Sequence, residues 1–204
     1  MEKSVRWDHD LIVSLVEPET AVLDLGCGGG ELLARLTAEK RVFGQAVESD
    51  PARVSEAICN GVAVYQKNLD QGLPEFMSRS FDYVILEKTL QVLRSPMLVL
   101  EEMLRIGYLS VISFPNFNYH GVVQQLLQKG RMPVTASLPY QWYDTPNIHL
   151  FTLYDFLDWI EANGVEIVAC YAASGTGYRP LVMPADSTEA EEMLFVLKRE
   201  CLKR

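Results

Sequence analysis

Ala21-Val-Leu-Asp-Leu-Gly-Cys-Gly-Gly-Gly30, followed by Glu31-Leu-Leu-Ala-Arg-Leu36, is the stretch that decides the fold. Val22, Leu23 and Leu25 form a short apolar run suited to a buried strand, and Leu32, Leu33 and Leu36 recur at helical spacing. Gly26, Gly28 and Gly30 lie between them. The pattern predicts strand, glycine turn and helix, the opening of a nucleotide-binding α/β unit. Glycines there let the backbone approach a ligand that a Cβ would push away. A dinucleotide fingerprint, G-x-G-x-x-G, requires a third glycine at position 31, where this chain has Glu31. A carboxylate beside a pyrophosphate is unfavourable, so the spacing argues against a dinucleotide.

Outward from this turn the chain alternates. Asp8 or Asp10 is placed to cap a short helix carrying Leu11, Ile12, Leu15 and Val16, which Pro18 ends. Residues 42–47 read as a second strand closed by Glu48, and Asp50-Pro51 opens a helix that Gly61 stops. Residues 62–66 form a third strand running into Asn68-Leu69-Asp70, and residues 81–86 a fourth, followed by Glu87. Ser95-Pro96 starts another helix, and residues 109–114 form a fifth strand. Such alternation implies a doubly wound parallel sheet with helices on both faces. Residues 115–150 break the rhythm. They hold an apolar helix (Val122, Val123, Leu126, Leu127) stopped by Gly130, then a stretch rich in proline and aromatics. Thr152 is placed to cap a helix reaching Asn163 and Gly164. Two strands, 165–173 and 193–198, follow, joined through 174–190 as a loop. The expected organisation is one domain over 1–204, with 115–150 as an insertion serving as lid or docking segment.

The chain has 204 residues, 49% hydrophobic and 22% charged, enough for a sizeable core. A formal net charge of -9 without a basic stripe argues against nucleic acid as a partner. No apolar run reaches the roughly 18 residues that a bilayer span needs. The first residues also lack the apolar core of a signal peptide, so a cytoplasmic location and no membrane partner are expected. Cys27, Cys59, Cys170 and Cys201 form no C-x-x-C pair, which predicts reduced thiols and no metal site.

At the end of the second strand, Glu48 can accept hydrogen bonds from both hydroxyls of an adenosine ribose, with Ser49 beside it. The amide oxygen of Asn68, after the third strand, can accept from an adenine amino group, and Leu69 can lie against the ring. Glu87 is expected near the topological switch point. His9, His120 and His149 are isolated in sequence and read as structural; no general base, nucleophile motif or P-loop is recognisable.

Asp24 with G-x-G-x-G resembles motif I of class I S-adenosylmethionine-dependent methyltransferases. The resemblance narrows further on Leu23-Asp-Leu-Gly-Cys-Gly28, Phe81-Asp-Tyr-Val-Ile-Leu86, Thr89-Leu-Gln91, Ser113-Phe-Pro-Asn-Phe117, Gly130-Arg-Met-Pro-Val134 and Leu138-Pro-Tyr-Gln-Trp-Tyr-Asp-Thr-Pro-Asn-Ile-His149. Together these look like the methionine biosynthesis protein MetW family over roughly 7–173; position 29, often aspartate in that family, is glycine here. The resemblance implies a Rossmann-like class I methyltransferase fold: a mostly parallel seven-stranded sheet with an antiparallel C-terminal hairpin. It also implies S-adenosylmethionine or S-adenosylhomocysteine at Asp24, Gly26, Cys27, Gly28, Glu48, Ser49, Asn68, Leu69 and Glu87. The implied role is accessory or regulatory subunit of a homoserine O-acyltransferase. Tyr140, Trp142, Tyr143 and His149 would then form a partner surface or substrate lid. The catalytic residues and any methyl acceptor stay unidentified. A free-standing small-molecule methyltransferase and a fold kept only as a scaffold are the other hypotheses, and residues 174–204 lie beyond the resemblance.

Overall fold

The computed structural model describes residues 6–175 and 177–199. Cys201, the remaining tail beyond Arg199 and the first five residues lie outside them. In chain order the elements are α1 (Trp7–Leu15), β1 (Ala21–Leu25), α2 (Glu31–Lys40), β2 (Phe43–Glu48), α3 (Pro51–Cys59), β3 (Val64–Gln66) and β4 (Phe81–Glu87). Next come α4 (Pro96–Ile106), β5 (Gly107–Pro115), α5 (His120–Lys129), α6 (Leu153–Ala162), β6 (Val165–Ser174), β7 (Gly177–Pro180), α7 (Asp186–Glu189) and β8 (Glu192–Arg199). All strands join one sheet in the order β3-β2-β1-β4-β5-β8-β6-β7. Pairing is parallel from β3 through to β5, while β8 runs antiparallel to both β5 and β6.

The central strands carry apolar side chains on both faces because both faces are covered. On β8, Met193, Phe195 and Leu197 enter one core and Leu194 and Val196 the other. The first core lies under α4 and α6, and the second under α1, α2 and α3. Residues beyond Ser174 therefore supply the strand that links β5 to β6. Two features of this region differ from the sequence expectation: within 174–190 the chain forms β7, an eighth strand, and the single-turn α7. Both are short, and every residue of β7 is exposed, so neither leaves an apolar periodicity to detect.

Local signals at helix ends behave as their chemistry demands. Asp50 Oδ1 accepts from the Ala52 amide at 2.8 Å with Pro51 at the first helical position. Thr152 and Asp155 form a reciprocal capping box on α6. Gly130 closes α5 in the left-handed region, φ 59°. At the N-terminus the expectation fails. α1 starts at Trp7, neither Asp8 nor Asp10 caps it, and Asp8 is fully buried inside the first turn.

Phe114 sits at the centre of the α4/α6 core, with ring centroids 4.7 Å from Phe156, 4.8 Å from Phe151 and 5.9 Å from Phe195. Truncating it leaves a cavity lined by three aromatics that are pinned to different elements. Phe114→Ala is expected to lower the unfolding free energy by about 3–5 kcal/mol, read as a fall in the urea midpoint at unchanged slope.

Candidate functional site

Strand order reverses direction between β1 and β4, so the crevice of the sheet opens outside their carboxyl ends. The glycine turn between β1 and α2 lies on its β1 side. Gly26 turns the chain at φ 72°, its amide donating to the Val47 carbonyl at 2.8 Å. A Cβ there would lie 2.8 Å from the Thr89 hydroxyl, so this position is set by packing against the β4 side. Gly30 (φ 78°) brings α2 against Ala57 and Val62, where a Cβ would approach to 3.0 Å. Gly28 is different. Its φ is 55°, and a Cβ on it would meet nothing within 4 Å, so it faces open space. The backbone at Gly28 is the part of the turn left free for a ligand.

Glu48 faces this opening from β2. Its Oε2 accepts from the Gly28 amide at 3.0 Å, and its Oε1 from the amides of Ser49 (2.6 Å) and Asp50 (2.9 Å). A carboxylate has about four acceptor positions, so Oε2 retains one for a ligand hydroxyl. Ser49 and Asn68 share a neighbouring cleft of about 440 Å³ with the Lys67–Glu75 ion pair. The Asn68 side-chain oxygen already accepts from the Asp70 amide at 2.9 Å, and Leu69 is buried in the core. The chain thus brings Gly28 and Glu48 into direct contact and sets Ser49 and Asn68 around one cleft beside them.

Asp24 lies beneath the turn, 2% exposed. Burial, reinforced by the charges of Glu48 and Glu31 and opposed by Arg6, raises its pKa to about 7. The same burial, with Asp24 and Glu48 nearby, pushes the Cys27 thiol up to about 12, so it stays protonated and is no nucleophile.

Glu87, at the end of β4, faces α1: Arg6 pairs with its Oε1, and His9 Nε2 lies 3.1 Å from its Oε2. His9 is therefore not isolated, as its place in the sequence suggests. Burial, with the Arg6 charge, lowers the His9 pKa to about 4 and leaves the imidazole neutral near pH 7. The pair belongs to a wider charged group in which Lys88 Nζ lies 2.8 Å from Glu192 and 3.4 Å from Asp8. Asp8, His9 and Glu87 could be grouped as metal ligands, but Arg6 and Lys88 already supply cations to these carboxylates. Asp8 was the legible member: three and four residues before Leu11 and Ile12, it continues their apolar stripe.

Tyr140, Trp142 and Tyr143 belong to the insertion, whose Ile148 and His149 amides donate to the Gln91 carbonyl beyond β4. Trp142 and Tyr143 are 74% and 70% exposed, their rings edge-on at 5.6 Å. With Met132, Ile148 and Leu150, Tyr140 and Trp142 line an open groove of about 180 Å³. His149 does not join them; it turns inward to an apolar pocket beside Phe151, Phe156 and Trp159, its Nε2 buried without a hydrogen-bond partner.

Residues 6–197 match the family described as methionine biosynthesis protein MetW. The chain belongs to the MetW family. It is 36% identical over 162 residues to the bifunctional methionine biosynthesis protein MetXA/MetW of Rhodopirellula baltica, a match covering 74% of this chain and 26% of that one. The chain thus spans about a quarter of that relative's length. Among solved structures it is similar to a SAM-dependent methyltransferase of Thermotoga maritima (17% identity, TM-score 0.67, covering 95% of this chain and 89% of the other). It is likewise similar to a TehB-like SAM-dependent methyltransferase of Corynebacterium glutamicum (16% identity, TM-score 0.66, covering 98% and 90%). At these identities the similarity establishes the methyltransferase-like fold. The family match reaches 197, so β8 is part of the MetW unit and not a separate appendage. No helix among the described residues is long and apolar enough to cross a membrane.

The shifts of Asp24 and His9 act on stability with opposite sign. Asp24 is harder to ionise folded than unfolded, so its contribution is greatest below the unfolded pKa near 4 and is lost as pH rises to about 7. His9 is harder to protonate folded, so its effect is to lower stability as pH falls from about 6.5 to about 4. Asp24→Asn should therefore raise the unfolding free energy by about 1–3 kcal/mol at pH 8 and by little at pH 4, measured by urea denaturation at both.

Proposed function

We propose that this MetW-family chain is an S-adenosylmethionine-binding accessory or regulatory subunit of a homoserine O-acyltransferase. The observation that carries the partnership is the relative in which a MetXA part and a MetW part share one polypeptide. A fusion makes the local concentration of each part high for the other, which is useful where the separate chains associate. The exposed groove at Tyr140 and Trp142 supports the same reading. Aromatic side chains held in a proline-rich segment lose little entropy on docking, and tryptophan and tyrosine dominate interface energetics.

The residues at the crevice fit S-adenosylmethionine. Gly28 leaves open space where a backbone must meet a ligand, and Glu48 Oε2 retains an acceptor position for a ribose hydroxyl. Asp24, Glu48 and Glu31 make the site acidic, which favours a ligand bearing a sulfonium over a dinucleotide with its pyrophosphate. When bound, the sulfonium supplies an activated methyl group. The chain itself offers binding and orientation: the Cys27 thiol stays protonated, and His9 is committed to Glu87. The lack of a recognisable methyl-acceptor motif after β4, where the chain reads Glu87-Lys88-Thr89-Leu90, favours the accessory role over a free-standing methyltransferase. Ligand binding at the glycine turn and partner binding at the groove would then be linked reciprocally, letting a downstream product report to an early enzyme.

Two substitutions separate the surfaces. Trp142→Ala should fold normally, since the ring is exposed, weaken association with the acyltransferase by at least about 2 kcal/mol, and leave S-adenosylmethionine affinity within about threefold. Glu48→Ala should weaken S-adenosylmethionine binding by about 2–3 kcal/mol, roughly 30- to 150-fold, through the lost ribose bond and the loosened Gly28 amide. Pull-down and calorimetry on both variants test the assignment. Intact association with altered ligand binding in Trp142→Ala would make the groove a lid instead.

A further inference from the structure

Along residues 148–151 the side chains alternate between two apolar hollows. Ile148 and Leu150 line the groove at Tyr140 and Trp142, while His149 and Phe151 line a second pocket of about 170 Å³. The Gln91 carbonyl pins the segment between them, accepting from the Ile148 amide at 3.0 Å and the His149 amide at 3.1 Å. Leu90, Met97 and Leu100 of α4, and Phe156 and Trp159 of α6 form the other walls of the second pocket. None of its lining residues belongs to the glycine turn, to Glu48 or to the cleft at Ser49 and Asn68.

The lining selects an apolar occupant. Two of its members are polar. Asp155 is held in the capping box of α6, its Oδ2 accepting from the Thr152 amide and hydroxyl, both at 2.7 Å. His149 Nε2 is buried without a partner. The remaining lining is apolar. An apolar cavity of about 150 Å³ takes a benzene ring. The volume here therefore suits one large side chain, a phenylalanine, leucine or methionine.

The mouth points to a protein as the source of that side chain. Met97 lines the pocket yet is 52% exposed, and Leu98 beside it in the first turn of α4 is exposed as well. An apolar hollow open at an apolar rim forfeits packing that an inserted side chain restores. Continuity with the groove supplies the partner, for a surface seated on Ile148 and Leu150 has only to pass this one segment to reach the pocket. Interface energy concentrates where a large side chain fills a desolvated pocket, ringed by contacts that are nearly neutral.

We infer that this pocket is the anchor point of the acyltransferase interface: one large apolar side chain of the partner inserts between α4 and α6 while its neighbours cover the groove. The inference rests on the partner reading above and adds the chemistry of the partner segment that docks.

Association of the full chain with the host's homoserine O-acyltransferase tests it, comparing Met97→Glu, Met97→Lys and Met97→Leu with the unsubstituted chain. Met97 is half exposed, so all three should fold. A charge of either sign at the mouth opposes entry of an apolar side chain. Met97→Glu and Met97→Lys should each weaken association at least about tenfold, and Met97→Leu should keep it within about threefold. Adding the acyltransferase should also protect Met97 from oxidation, read by mass spectrometry, and leave Met77, exposed before the start of β4, unprotected. If the unsubstituted chain binds and both charged variants bind as well, the inference falls while the partner reading stands. If only one charge weakens binding, the contact is electrostatic and the inference falls likewise. If the unsubstituted chain does not bind the acyltransferase, both readings fall. A loss of S-adenosylmethionine affinity in the charged variants would assign the pocket to the ligand site and overturn the inference. So would self-association of the chain alone that Met97→Glu abolishes, since a second copy would then fill the pocket.

Discussion

The hydrogen bond from the Gly28 amide to Glu48 Oε2 joins the glycine turn to the end of β2, and the crevice takes its form from it. That bond requires Gly28 in the left-handed region, which presents its amide to β2 and leaves its Cα side open. It also requires a carboxylate at position 48 whose other oxygen is already fixed by the amides of Ser49 and Asp50. A charged acceptor held by three backbone donors is a rigid one. The cost appears one layer below, at Asp24, where a second carboxylate is buried under the field of the first. The chain thus concentrates acid at one edge of its sheet, an arrangement that favours a cationic ligand over a phosphate.

A similar economy governs the β4 side. Arg6, Asp8, His9, Glu87, Lys88 and Glu192 come from three distant parts of the chain and meet only because β8 runs beside β5 while α1 covers the end of β4. In a low-dielectric setting such a group holds its members in place without adding much stability, because desolvation offsets most of the attraction. Its worth is positional. It ties the start of α1 to the end of β4, and beside it the Ser137 amide joins the insertion to Glu191.

The sequence made the fold legible wherever a local rule decides an element. Asp50-Pro51, Thr152 with Asp155, and Gly130 each end or begin a helix through groups within four residues of one another. The strands of the core were legible because each is apolar on both faces. β7 and α7 were not, since one is wholly exposed and the other a single turn. Among site residues, the glycine turn and Glu48 were legible as the ends of the first and second strands, while the bond between the Gly28 amide and Glu48 shows only in the fold. The partners of Glu87 were not legible, for pairing it with Arg6 and His9 requires knowing where α1 docks. Asp8 held the one clue, a carboxylate on an apolar stripe. His149 was grouped with the aromatics by proximity in sequence, yet in an extended segment neighbouring side chains point to opposite sides, and it turns to the core while Ile148 and Leu150 line the groove.

The claim on which this account turns is that a MetW-family chain acts through an acyltransferase and reads S-adenosylmethionine. The most direct measurement is the rate of homoserine acylation by the host's homoserine O-acyltransferase, assayed alone, with this chain, and with this chain plus S-adenosylmethionine. The account predicts that the chain changes the rate, and that S-adenosylmethionine changes it again only when the chain is present. An acylation rate indifferent to both additions, measured on proteins that are folded and mixed above micromolar concentration, would contradict it.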